Sequence, residues 1–196
     1  MKLTKYYFLP FLDNLLAVLV SLLFTIFFGS WFGNAVFGFV MGIALTLVMC
    51  GFVYSRMWKL SRKNTRYDWG LSANTGIRCV LPLCIFSFVL ILIFMLADHN
   101  ILPLQDMVIK NYYTFPDNLP RELVSITPFD YLTVVTRFWF SYLLPFTKEP
   151  SAWLFCLSPV LAAVSAALGF KLGAENKEVL DGYVKVVNKA KDKFNE

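Results

Sequence analysis

Charge is scarce in this chain, and the groups that carry most enzymatic chemistry are scarcer still. Only 16% of its 196 residues are Asp, Glu, Lys or Arg, against roughly 25% in ordinary globular domains. It has one histidine, His99, and four cysteines, Cys50, Cys79, Cys84 and Cys156. A zinc site draws three or four ligands from the protein, and nothing in the spacing gathers that many. The cysteines lie in or beside apolar runs, so no exported disulfide framework is expected. HExxH, GxSxG, P-loop and dinucleotide glycine patterns are all missing. CVLPLC at 79–84 is too widely spaced for a redox CxxC pair. Neither a cofactor nor a metal is expected.

Apolar surface is what the chain has in excess. The apolar share is 58%, with 20 phenylalanines. One soluble core could not enclose so much, and apolar runs of about 20 residues indicate membrane spans. Four stretches qualify: 8–28, 35–54, 79–97 and 151–172. At 1.5 Å per residue each covers roughly 30 Å, the thickness of a hydrocarbon layer. The first is longer than the roughly 7–15 residues of a signal-peptide core and reads as a retained span. The expected fold is therefore all-α: a polytopic integral membrane protein with four transmembrane helices. An additional outer interfacial or re-entrant helix and a cytoplasmic C-terminal amphipathic helix complete it. Residues 1–173 form the membrane domain, with an exterior connection and interfacial helix over 98–150. Residues 174–196 form the tail, where Leu180, Tyr183, Val184, Val187 and Phe194 recur at helical spacing.

The sign of the flanking charges sets the orientation. With four crossings, all of the 18 Lys and Arg except Lys110, Arg121, Arg137 and Lys148 fall on one side. Positive residues stay inside, so both termini are expected in the cytoplasm, with a bacterial plasma membrane as the setting. The net charge of +5 follows from this flanking, and nucleic acid is not an expected partner. The 55–78 connection is the most basic. Its Arg56, Lys59, Arg62, Lys63 and Arg66 are candidate contacts for anionic lipid.

Residues 131–146, YLTVVTRFWFSYLLPF, are ambiguous. A helix of this length would span about 24 Å, short of the hydrocarbon layer. Arg137 near its middle would cost about 3 kcal/mol to insert. Asp130, Thr133, Arg137 and Ser141 form one narrow polar stripe, which suits an element in the outer interface with the Tyr142 hydroxyl at the headgroups. A short re-entrant helix is the rival, tolerable where protein or water covers it.

Small residues mark the expected packing faces. Gly38 and Gly42 lie one turn apart in the second span. Ser158, Ala162, Ala166, Gly169 and Gly173 line one side of the last, which is expected to seat against Gly38 and Gly42. Asp13 and Asn14 are read as polar groups in the first helical turn beside Pro10, where the helix dipole favours an anion.

Three functions fit these features. The first is a non-catalytic multi-pass membrane subunit, scaffold or accessory protein packing on a partner membrane protein or on itself. The second is a small oligomeric channel or transporter using Asp13, Asn14 and Arg137. The third is an outer-face membrane enzyme drawing on Asp98, His99 and Arg137, the weak catalytic candidates.

Overall fold

A run of apolar residues without an interior glycine makes the first helix, α1 (Thr4–Phe28). It starts earlier than its apolar stretch, so Asp13 lies in its third turn rather than its first. Pro10 falls inside the helix and withdraws one helical hydrogen bond there. A 3-10 turn over Gly29–Gly33 reverses the chain. Asn34 then starts α2 (Ala35–Tyr67), its Oδ1 accepting from the Val36 and Phe37 amides at 3.0 and 3.3 Å.

Helix α2 has 33 residues and so runs about 50 Å, well beyond one hydrocarbon thickness. The basic stretch expected as a loop from residue 55 is helical up to Tyr67. The reason is local. Met, Leu, Arg and Lys are all good helix formers. Met57, Leu60 and Ser61 bury one face while Lys59, Arg62, Lys63 and Arg66 expose the other. The helix stops where Asp68 and Gly70 take left-handed backbone, at φ 46° and 65°.

Helix α3 (Thr75–Asp98) is followed by a connection carrying an antiparallel ribbon. Its strands, β1 (Lys110–Thr114) and β2 (Glu122–Ile126), pair Lys110 with Ile126 and Thr114 with Glu122. This ribbon interrupts the stretch expected as plain loop. Thr127 then caps α4 (Pro128–Trp139) in a reciprocal box with Asp130, behind a proline in the first turn. A 3-10 segment, Ser141–Phe146, follows, so 131–146 is a short helix and a turn rather than one rod. The last span is a short α5 (Ala152–Phe155) running into α6 (Leu157–Ala174).

Among the described residues, four helical stretches are long and apolar enough to cross a bilayer: 6–31, 35–67, 75–98 and 152–174. Their outward faces carry Leu12, Leu19, Ile85, Leu92, Val160 and Leu168, all exposed. This chain is a multi-pass membrane protein with an all-α, four-helix transmembrane fold. The computed structural model describes residues 4–114, 122–146 and 152–175. The expected amphipathic tail helix lies almost wholly outside the described residues.

The helices are knitted mainly through α6, which lies along both α2 and α3. A Cβ on Gly173 would come within 2.6 Å of the Trp58 carbonyl oxygen, and one on Gly169 would overlap that of Tyr54. Only hydrogen at these two positions lets the backbones approach so closely. This close seam therefore meets the C-terminal half of α2, and Gly42 faces Phe146 rather than α6. Pairing 169 with 54 and 173 with 58 makes the two helices parallel, which would carry Ser158 toward Ile43. The 3-10 segment occupies that space instead: Phe146 lies against Gly42, and Tyr142 reaches Ser158.

Candidate functional site

Polar side chains buried in an apolar bundle need partners, because an unmade hydrogen bond there costs several kcal/mol. Two adjacent residues of α1 meet this need differently. Both carboxylate oxygens of Asp13 are paired, whereas Asn14 is bonded through Oδ1 and its Nδ2 has no partner among the described residues. Asp13 is buried, with its side chain 2% exposed, and takes a fork from Arg56 of α2. The guanidinium Nε donates at 2.7 and 2.9 Å, and Nη2 donates to the same carboxylate. Planar pairing of this kind is the strong form of an ion pair.

Asn14 turns the other way. The Tyr142 hydroxyl donates to its Oδ1 at 3.1 Å and sits 2.6 Å from the Ser158 hydroxyl. A phenol has one proton, so Ser158 is the donor to Tyr142. Three elements meet at this oxygen: α1, the 3-10 segment and α6. Tyr142 is wholly buried. It does not stand at the headgroups as expected, because its hydroxyl finds both partners inside the protein.

Contacts at its two ends fix the path of α4. At its start, Phe129 stacks on Phe94, near the end of α3, at 5.9 Å. At its end, Trp139 donates its indole N–H to Ser87, midway along α3, at 3.1 Å, and packs on Phe86 at 4.9 Å. So α4 runs back alongside α3 from its C-terminal part toward its middle. Phe140 then stacks on Phe155 of α5 at 4.9 Å. Phe146 closes the excursion on Phe39, in the second turn of α2, at 5.6 Å.

Arg137 lies in the last turn of α4, and its side chain is exposed. Among the described residues it has no ion pair and no hydrogen bond. Around it Tyr131, Val134, Val135 and Phe138 are also exposed.

The residues expected to share a site fall into separate places. Asp98 and His99 are exposed at the end of α3. Neither is joined to Arg137 by a hydrogen bond or ion pair among the described residues, where no cluster of three metal-ligating side chains occurs either. Asp13 and Asn14 are both buried but meet different partners, Arg56 and Tyr142, and Arg137 joins neither pair. Sequence reasoning missed Trp139 and Ser87 as a pair. The signal was present, since a Trp in an oily helix carries an N–H that needs an acceptor.

The basic residues of α2 lie within about 120° of arc. Arg56, Lys59 and Lys63 line a groove of about 560 Å³ against α1, and Lys63 also borders a second groove with Arg62 and Arg66. Arg62 lies over the Trp58 ring at 4.8 Å, and Arg66 over Tyr67 at 5.7 Å. Compared with known proteins, the chain matches no family model, no curated protein and no solved structure.

Proposed function

We propose that this chain is a non-catalytic membrane subunit that seats its α4 face against a partner membrane protein or a second copy of itself. The carrying observation is Arg137. Arg56 is paired with the buried Asp13, whereas Arg137 is exposed on a helix that reaches the middle of α3. An arginine facing lipid near midplane is costly, and such residues normally pair or face protein or water. The exposed apolar side chains around it suit a packed surface. A partner carboxylate or polar group over Arg137 would satisfy both.

On this reading residues 128–146 are a re-entrant element that dips between the spans and returns to the side it came from. Protein covers its irregular part, as a non-helical backbone at membrane depth requires. The basic end of α2 and both termini then face the cytoplasm of a bacterial plasma membrane.

A photoreactive amino acid placed at Val134, in native membranes, tests the proposal. A discrete protein adduct is expected there and none at Leu92, an equally exposed position on α3. Arg137→Glu should abolish the Val134 adduct. If both positions label only lipid, the proposal is wrong.

A further inference from the structure

The groove between α1 and α2 has polarity at one end and oil at the other. Arg56, Lys59 and Lys63 stand at positions i, i+3 and i+7 of α2, within about 60° of arc, so they share one helix face. Toward the span, the same groove is walled by Phe52 of α2 and Leu16 of α1. Its volume of about 560 Å³ would take a headgroup and the upper part of an acyl chain. Asp13 is the carboxylate in its lining, and Arg56 already neutralises it. Lys59 and Lys63 make no ion pair among the described residues. Two positive charges are left uncompensated there.

Arg56 is what makes this a built site rather than a basic surface. The buried Asp13 carboxylate takes its Nε and Nη2 protons and so fixes the guanidinium plane. Among the described residues its Nη1 amino group has no partner, while the side chain stays 32% exposed. A guanidinium held in plane with spare N–H groups matches a phosphate oxygen. Arg56 also stands just past the apolar run 35–54, about where headgroups begin.

We infer that this groove binds one anionic diacyl phospholipid of the leaflet on the N-terminal side, its phosphate on Arg56, Lys59 and Lys63 and an acyl chain on Phe52 and Leu16. The apolar end separates this ligand from free phosphate, which has no use for it. The fork from Asp13 separates it from diffuse attraction to a charged surface, which Arg78 and Lys171, exposed on α3 and α6, would serve equally well. The inference is independent of what covers α4.

Native mass spectrometry of the full chain in neutral detergent tests it. The protein is titrated with dioleoylphosphatidylglycerol, dioleoylphosphatidylcholine or inorganic phosphate. One saturable phosphatidylglycerol adduct is expected, at least about tenfold tighter than phosphatidylcholine. Lys59→Gln with Lys63→Gln removes two cations near the phosphate and should weaken that adduct about 30-fold. Arg78→Gln with Lys171→Gln removes the same charge from exposed positions on α3 and α6, outside the groove, and should leave it within about twofold. Should the Lys pair fail to fold, Lys59→Gln alone should weaken the adduct about fivefold. Equal losses from the two double variants would overturn the site in favour of diffuse attraction. Equal binding of phosphatidylcholine, or displacement of the lipid by millimolar phosphate, would overturn it as well.

Discussion

The indole of Trp139 donates to the hydroxyl of Ser87 across 3.1 Å, tying the end of α4 to the midpoint of α3. Trp139→Phe keeps a ring against Phe86 but removes the donor, and Ser87→Ala removes the acceptor. A double-mutant cycle on thermal unfolding in detergent should give a coupling of about 0.6 kcal/mol, the usual size between membrane helices. Zero coupling would mean that the pair does not hold α4 in place.

The Asp13–Arg56 fork makes a sharper prediction. Arg56→Met leaves a carboxylate buried without its partner and should cost about 3–5 kcal/mol. Asp13→Leu together with Arg56→Met removes both charges and should restore most of that loss. Unfolding midpoints of the single and double variants check this. A double variant less stable than Arg56→Met would contradict the pairing.

Tyr142→Phe strands two groups at once. Asn14 Oδ1 loses its donor and Ser158 loses its acceptor, with no water-exposed route for either side chain. A loss of about 1–3 kcal/mol is expected. Were Tyr142 at the headgroups, the same change would be nearly silent.

Glycine substitutions should separate the close seam from open helix surface. Gly169→Val drives a side chain into the Tyr54 backbone, which cannot yield as a flexible side chain would, and should destabilise by about 1–3 kcal/mol or more. Gly51→Ala meets nothing within 4 Å on α2 and should stabilise by about 0.5–1 kcal/mol. Paired melting curves decide between them.

The four spans were legible because length and apolar run respond to one property, the thickness of oil, that acts on each segment alone. The helical continuation of α2 was hidden for a related reason. Lys and Arg mark a side of the membrane, but they are also good helix formers, and the charge pattern does not distinguish loop from extended helix. Asp13 and Arg56 are 43 positions apart. Nothing local to either announces the other. Tyr142 was harder still. The same amphipathic ring that suits a headgroup layer suits a buried site with two partners, and only the tertiary arrangement of Asn14 and Ser158 selects one. The break after Trp139 was partly visible in Pro145 and in a segment too short to cross.

Sidedness tests the central claim most directly, that residues 128–146 enter the bundle and return without crossing. Single cysteines at Asn100 and Glu175, both exposed, can be reacted with a membrane-impermeant maleimide in sealed, oriented vesicles. The account predicts that the two label from opposite faces, with Gly70→Cys on the same face as Glu175→Cys. Labelling of positions 100 and 175 from one face would mean a fifth crossing and would contradict it.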